Sequence, residues 1–152
     1  MNVSVRLEEQ EFEPAAELAE LTRCAAGDGA VVSFVGVARG VSKAGEEVAR
    51  LVLEHHPHLT ARSLQEIASD AASRFEVSHV HVVHRCGEIS PGEPIVFAGA
   101  AAAHRRAAFE AADYLMDRLK TEAVFWKREE GPSGSRWIEP TEADYADRGR
   151  WE

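Results

Sequence analysis

Lysine is scarce in this sequence of 152 residues, which contains three lysines and fourteen arginines. Arginine stays charged in proteins, whereas a buried lysine can lose its proton and act as a base or nucleophile. Because arginine meets the general need for positive charge, the nearby lysines Lys120 and Lys127 indicate a requirement for amine chemistry. The alternative is structural: Lys120 compensates the dipole of a helix C-terminus, and Lys127 lies on a solvated strand. The residues alone leave both interpretations open.

Other features are also absent, and each absence excludes a class of protein. The two cysteines, Cys24 and Cys86, lack CxxC or metal-ligand spacing, which favours free thiols over a disulfide. The patterns GxGxxG, GxxxxGK(S/T), GxSxG and HExxH do not occur, so the common nucleotide-binding, hydrolase and zincin classes lose direct support. No apolar run reaches about 18 residues, the length of a membrane span. The first ten residues do not resemble a secretory signal, so we expect a cytoplasmic protein without membrane association.

Composition fits one globular domain spanning residues 1–152. The hydrophobic fraction of 45% and the charged fraction of 28% are ordinary for such a domain. The formal net charge of −9 disfavours binding to nucleic acid or to an anionic membrane. Between residues 104 and 128, however, six arginines or lysines outnumber four acids, so this segment can attract an anionic ligand.

Hydrophobic patterning switches between the periods of strands and helices. Strands are predicted at residues 3–7, 30–39, 48–55, 77–84, 95–103, 124–128 and 136–139. Helices are predicted from residues 13–14 to the glycines near 27, at 61–74 with Thr60 as N-cap, and at 104–120. This mixture indicates an α+β fold.

Two regions carry more specific expectations. Strands 30–39 and 48–55 are expected to pair around a flexible loop, 40–47, forming a hairpin subdomain near 30–56. Residues 140–152 are expected to form a charged tail, in which Trp151 is either a docking anchor or a frayed end.

The start of the long predicted helix carries three cations, His104, Arg105 and Arg106. Cations there oppose the helix macrodipole, which favours acids at the N-terminus. A phosphate or carboxylate ligand reverses this conflict, because free backbone N–H groups and arginine together bind anions. We therefore favour an anion-binding site, against the alternative that the helix boundary lies one turn away.

Lys120 ends that helix, and Lys127 follows seven residues later on a predicted strand. If helix and strand pack side by side, the two ammonium groups converge, and repulsion with partial burial lowers one pKa. Phe125 and Trp126 can wall this pocket, although ordinary core packing explains at least one of them. We expect both amines to share one cavity with the positive end of the helix.

The seven histidines do not favour a metal site. His55, His56 and His58 are interrupted by a proline and cannot readily converge on one ion, so a structural or surface role is favoured over metal binding. Three more histidines lie on a predicted strand and are expected on its solvated face: His79, His81 and His84.

Five segments, in order along the chain, resemble one known family: FVGVAR, LVLEHHPHLT, HRCGEISPGEPIVF, AHRRAAFEAADYLMDRLK, and FWKRE followed by RWIE. The family is the large, catalytic subunit of molybdopterin synthase. The resemblance implies an α/β hammerhead fold with an added antiparallel β subdomain. It also implies a homodimer within a heterotetramer, in which each large subunit binds a small ubiquitin-like sulfur-carrier subunit.

The resemblance further implies a reaction and its residues. The C-terminal Gly-Gly thiocarboxylate of the small subunit donates sulfur to cyclic pyranopterin monophosphate, which forms the dithiolene of molybdopterin without a metal or organic cofactor. Lys120 and Lys127 match the family's active-site lysines. The other matching substrate-binding positions are Val37, Ala38, Arg39, His104, Arg105, Arg128 and Glu129.

The sequence departs from the family after Arg39, where residues 40–43 replace the polar Asn or Asp residues that are common there. A rival interpretation is a non-catalytic module that docks a ubiquitin-like C-terminal tail and whose lysines only bind the carboxylate of that tail. A weaker third interpretation is a metal-binding protein that uses the histidines of residues 55–58.

Overall fold

The structure, a computed structural model, describes residues 2–152. The elements are β1 (Asn2–Glu8), α1 (Pro14–Cys24), β2 (Ala30–Val37), β3 (Arg50–His55), α2 (Leu59–Arg74), β4 (His79–Arg85), β5 (Gly87–Ile89), β6 (Pro94–Ala102), α3 (Arg105–Glu122), β7 (Phe125–Gly131), β8 (Gly134–Ile138) and α4 (Glu142–Gly149). Among these described helices, none combines the length and apolar character that crossing a membrane requires.

The first sheet has the strand order β1-β4-β6-β2, with β1 parallel to β4 and the other pairs antiparallel. Along β6, Val96 and Ala98 belong to the main core with α2 and α3, whereas Phe97 and Ala101 belong to a smaller core with α1. Side chains alternate between the faces of a strand, so both faces of β6 are covered. This two-sided burial explains why β6 is almost entirely apolar.

The second sheet is antiparallel, with the order β5-β3-β7-β8. A small buried cluster of Ala38, Leu53 and Ile89 lies where the two sheets meet, and Phe125 packs against it. The expected α+β class is confirmed, and the second sheet provides the added antiparallel unit.

The predicted pairing of residues 30–39 with 48–55 is wrong, and with it the hairpin subdomain near 30–56. β2 pairs with β6 in the first sheet, where Phe34 lies opposite Ala98. β3 belongs to the second sheet, where Leu53 lies opposite Lys127. Alternating hydrophobicity identifies a strand but not its partner. The loop between β2 and β3 therefore carries the chain from one sheet to the other.

The C-terminal tail forms a helix that the sequence analysis missed. α4 begins with a capping box, in which the Thr141 hydroxyl accepts from the Asp144 N–H and the Asp144 carboxylate accepts from the Thr141 N–H. The Trp151 ring packs edge-on against Phe75 and Tyr114, with centroids 5.6 and 5.5 Å away. Of the two expectations for Trp151, the docking anchor is therefore confirmed.

The expectation that the histidines of β4 face solvent is wrong for two of them. His81 and His84 are each only 5% exposed, because helices and the second sheet cover β4. The His81 ring is hydrogen-bonded to Glu17 at 2.8 Å.

Thr60 does not cap α2 from outside but lies within its first turn, where it is fully buried. Its hydroxyl accepts from the His56 N–H at 2.9 Å and donates to the Val124 carbonyl at 2.5 Å. This pair of bonds ties α2 to the residue just before β7.

Candidate functional site

Lys127 lies in the middle of β7, opposite Leu53 on β3 and Ile138 on β8. Both neighbouring strands shield it, so the lysine is half-buried. Burial, helped by the positive charge of Lys120, lowers the pKa of Lys127 from 10.5 to about 8, and the carboxylate of Asp144 opposes this shift. About one tenth of the Lys127 amine is therefore neutral near pH 7.

Lys120 lies in the last turns of α3 and is exposed. Its charge acts on Lys127 and on Asp144, so the predicted convergence of the two amines is supported. The solvated-strand interpretation of Lys127 is wrong, because its amine is largely removed from water. The position of Lys120 near a helix C-terminus agrees with the dipole interpretation as well, since one side chain can serve both purposes.

Asp144 was not recognised in the sequence, yet it interacts with all three lysines. Burial opposes its ionisation, but hydrogen bonds from Thr141 and the charges of Lys120 and Lys43 keep its pKa below the usual value. The charge of Asp144 thus interacts with the charges of all three lysines, and we call these four residues the lysine cluster (Lys43, Lys120, Lys127 and Asp144). The scarcity of lysine pointed to this cluster, but the contribution of α4 required the fold.

Aromatic rings lie on the strand face that Lys127 shares. Phe125 lies two residues before Lys127 and shares its strand face, and its ring stacks on His84 at 4.3 Å between centroids. Burial lowers the pKa of His84 to about 4, and its Nδ1 lies 2.8 Å from the Arg85 carbonyl oxygen. The imidazole is therefore neutral and adds no third positive charge. Trp126 points to the opposite face and is 51% exposed, so Phe125 alone provides the predicted wall.

The residues at the end of β2 and just after it, Val37, Ala38 and Arg39, lie close to the strands β3 and β7. Ala38 is buried with Leu53 in the cluster against which Phe125 packs, so its neighbours Val37 and Arg39 lie near β3 and β7. Both neighbours are exposed. The packing of Ala38 thus places the segment that carries Arg39 beside the strands β3 and β7.

His104 and Arg105 lie at the other end of α3. His104 is the N-cap and makes no side-chain capping bond, and the first turn contains no acid. The helix boundary falls where the sequence placed it, so the anion-binding interpretation keeps its physical basis. Fifteen residues separate Arg105 from Lys120, which is about 22 Å of helix. The prediction that one chain brings this end and both amines into a single cavity is therefore wrong.

Arg128 and Glu129 follow Lys127 along β7. Arg128 binds the carboxylates of Glu54 and Glu130 at 2.8 and 2.9 Å, and its guanidinium lies 5.3 Å from the centre of the Trp137 ring. Glu129 shares the strand face of Lys127. Arg128 thus points away from the lysine cluster, whereas Glu129 points toward the same side.

The histidines of residues 55–58 do not act together. The His56 ring accepts the backbone N–H groups of His58 and Leu59 at the start of α2, at 3.2 and 3.0 Å. His55 instead meets Glu9 and Cys86, and one potential ligand atom from each lies within 4.8 Å of the other two. These three residues could hold a metal ion. The two cysteines, Cys24 and Cys86, are free thiols as predicted.

Comparisons with known proteins agree with this architecture. Residues 7–122 match the family model described as "MoaE protein". The chain is 49% identical over 148 residues to a molybdopterin synthase catalytic subunit from Caulobacter vibrioides, covering 97% of each chain. It superposes on a solved molybdopterin biosynthesis MoaE protein from Burkholderia ambifaria with a TM-score of 0.82 and 38% identity, covering 98% of this chain and 97% of that one.

A more distant solved structure shares the fold. It is a protein–protein complex of subunits 1 and 2 of molybdopterin-converting factor from Helicobacter pylori. The match has a TM-score of 0.72 and 18% identity, covering 91% of this chain and 90% of the other.

Proposed function

This chain belongs to the MoaE family of molybdopterin synthase catalytic subunits, an enzyme family of molybdenum cofactor biosynthesis, and from that premise we propose its reaction. The chain transfers sulfur from the C-terminal thiocarboxylate of a small ubiquitin-like subunit to cyclic pyranopterin monophosphate. The observation that carries this proposal is the depressed pKa of Lys127, about 8, beside a second lysine. An amine that is partly neutral at physiological pH can move protons during the reaction.

The proposed reaction begins when the tail of the small subunit enters beside the lysine cluster. The thiocarboxylate sulfur attacks an oxygen-bearing carbon of the pterin side chain, so a carbon–sulfur bond forms as a carbon–oxygen bond breaks. The displaced oxygen leaves with a proton, and an acyl-linked adduct results. Water then cleaves the acyl–sulfur bond, which leaves sulfur on the substrate and a carboxylate on the small subunit. Lys120 and Lys127 supply or remove protons and stabilise the adduct. The sulfur arrives on the small subunit, so the proposed reaction uses neither a metal nor an organic cofactor.

The substrate phosphate is proposed to bind His104 and Arg105, together with Arg39. Because about 22 Å of helix separates Arg105 from Lys120 in one chain, we place the complete site between two copies. In a homodimer within the heterotetramer, the phosphate-binding end of one copy serves the lysine cluster of the other. Val37, Ala38, Arg128 and Glu129 complete the proposed substrate pocket, and the assembly is proposed to reside in the cytoplasm.

The proposal is tested by reconstitution. The purified chain is mixed with thiocarboxylated small subunit and cyclic pyranopterin monophosphate, and the product is identified by mass spectrometry in single-turnover reactions. Loss of a group that transfers protons typically lowers a rate about 10²–10⁴-fold, and we expect this range for Lys127→Ala. Arg23→Ala, which removes an exposed cation on α1, serves as the control and keeps the wild-type rate.

The same reactions separate the proposal from a non-catalytic docking module. In such a module the lysines only grip the tail, so Lys127→Ala would weaken binding of the small subunit and slow the reaction in equal proportion. Saturating small subunit would then restore the wild-type rate, and that result would refute the chemical role. We expect the rate to stay low at saturation, because the missing amine acts after binding.

A further inference from the structure

Three potential metal ligands from separate parts of the chain meet where the two sheets join. Glu9 follows β1, His55 ends β3, and Cys86 lies between β4 and β5. One carboxylate oxygen, one imidazole nitrogen and the thiol sulfur all lie within 4.8 Å of one another. The backbone helps to hold this arrangement, because the Cys86 N–H donates to the Glu8 carbonyl at 2.9 Å.

The three side chains differ from their neighbours because no hydrogen bond or ion pair within residues 2–152 engages them. Glu8 forms an ion pair with Arg6, and the His56 ring accepts two backbone N–H groups. Within residues 2–152, by contrast, no side-chain hydrogen bond or ion pair engages Glu9, His55 or Cys86. Glu9 is exposed, His55 is half-buried and Cys86 is buried, so the three ligand atoms are available to an ion that enters from the Glu9 side.

The set of donor atoms selects a class of ion. A thiolate with an imidazole and a carboxylate suits zinc and similar borderline cations, whereas magnesium and calcium prefer oxygen donors alone. With usual zinc–ligand bond lengths, neighbouring donors in a tetrahedral site lie roughly 3.4–3.6 Å apart. The donors, which lie within 4.8 Å of one another, therefore close by up to about 1 Å on binding, through rotation of the exposed Glu9 side chain and of the His55 ring.

The charges around the three ligand atoms do not strongly repel a cation. The nearest positive group is Arg85, which is 4% exposed and donates to the Glu9 and Glu88 carbonyls at 3.2 and 3.0 Å. Its charge is offset by Glu93, whose carboxylate lies 3.9 Å away. A divalent ion bound to one thiolate and one carboxylate forms a site without net charge, and the Cys86 thiol releases its proton when the ion binds.

We propose that Glu9, His55 and Cys86 bind one zinc-class divalent cation through three protein ligands, with a fourth position open beside the exposed Glu9. The ion would link the segment after β1 and the end of β3 to the junction of β4 and β5. Three points distant in sequence are then held together, so metal binding stabilises the folded state over the unfolded chain. His55 lies opposite Phe125, so the link also secures the start of β7.

The test uses the full-length chain stripped with a chelator and titrated with Zn²⁺ or Co²⁺ alone. We expect one ion per chain by calorimetry, together with the near-ultraviolet sulfur-to-cobalt band and strong visible bands of four-coordinate cobalt. Glu9→Gln, a surface change that leaves the core intact, should weaken Zn²⁺ binding by at least about tenfold. His55→Gln should weaken it similarly, and Cys86→Ser should abolish the sulfur-to-cobalt band.

Each ligand variant has a matched control in the chain. Glu8→Gln, His56→Gln and Cys24→Ser change the same residue types nearby or elsewhere on the surface, and each should bind Zn²⁺ as the wild type does. Circular dichroism confirms that every variant is folded. Absence of stoichiometric binding at micromolar Zn²⁺, or binding that survives Glu9→Gln and His55→Gln unchanged, would overturn the proposal. These readouts do not involve sulfur transfer, so they stand apart from the proposed reaction.

Discussion

The ammonium of Lys120, near the end of α3, repels that of Lys127 on β7, and this repulsion helps to lower the pKa of Lys127. Burial contributes most to lowering the pKa of Lys127 to about 8, and the charge of Lys120 adds to it. Lys120 is exposed to water, which screens its own charge. The two amines therefore differ in environment: Lys120 faces water, whereas burial leaves Lys127 able to exchange a proton near neutral pH.

Removing the charge of Lys120 should raise the pKa of Lys127. In Lys120→Gln the repulsion disappears while burial remains, so we expect a value between about 8 and the unperturbed 10.5. Asp144→Asn removes an attraction and should lower the pKa instead. Because the chain has three lysines, NMR of protein labelled at the lysine side chains gives three resolved titrations.

Arg23→Gln removes the same charge from α1 and provides the control for this titration. It should leave the Lys127 pKa at its wild-type value. An unchanged Lys127 pKa in both Lys120→Gln and Asp144→Asn would mean that these charges do not act on it. In that case burial alone would account for the depressed value.

Replacing Lys127 by methionine should stabilise the fold while abolishing sulfur transfer. The pKa falls from 10.5 to about 8 on folding, and one pKa unit corresponds to about 1.4 kcal/mol, so the gain at pH 7 is on the order of 3 kcal/mol. Between pH 8 and 10.5 the unfolded chain binds more protons than the folded one. Wild-type stability therefore rises with pH through this window, and the advantage of Lys127→Met shrinks.

Urea unfolding at pH 7 and again above pH 10 measures both parts of this prediction. Arg23→Met is the control, since it replaces an exposed cation on α1, and an exposed substitution changes the free energy of unfolding by no more than about 0.5 kcal/mol. A Lys127→Met chain less stable than wild type at pH 7 would contradict the view that the buried charge costs folding free energy.

The sequence predicted the helices and strands better than the way in which they pair and pack. Lys120 and Lys127 were found because lysine is rare, and the fold brought them together because the end of α3 packs near β7. β2 and β3 were assigned as strands correctly but paired with each other wrongly, because alternation carries no information about partners. His84 was expected in solvent, since a strand sequence does not reveal a second sheet above it.

Two further features depended on tertiary structure. Asp144 lies in a short, highly charged helix that gave no strong periodic signal, and the Thr-x-x-Asp pattern of its capping box with Thr141 was present in the sequence but was not used. His104 was identified correctly as the start of α3, but the length of that helix sets it far from Lys120. Helix length was available from the sequence, and applying the rise per residue would have predicted the separation.

The stability of the fold should be more sensitive to loss of the Thr60 hydroxyl than to loss of its methyl group. Thr60→Val keeps the shape but leaves the Val124 carbonyl and the His56 N–H without their partner, at a cost of about 1–3 kcal/mol. Thr60→Ser keeps both bonds and loses one buried methyl, about 1 kcal/mol. Urea unfolding of both variants measures the difference, and a serine variant less stable than the valine variant would show that packing, not hydrogen bonding, matters there.

A site shared between two copies makes a specific prediction about mixed dimers. One copy carries His104→Ala with Arg105→Ala, which removes the phosphate-binding end, and the other carries Lys127→Ala. In the mixed dimer, the lysines of the first copy meet the intact phosphate-binding end of the second, so one of the two sites is complete. Dimers with two different tags, purified over both, should regain roughly half of the wild-type rate.

The control for this experiment pairs Lys120→Ala with Lys127→Ala. Every site in that mixed dimer lacks one lysine, whichever way the copies are arranged, so no activity should return. If each copy instead held a complete site of its own, the first mixture would be as inactive as the control, because every chain in it carries a defect. Recovery in the first mixture and not in the second therefore requires that the long helix of one copy reach the lysine cluster of the other.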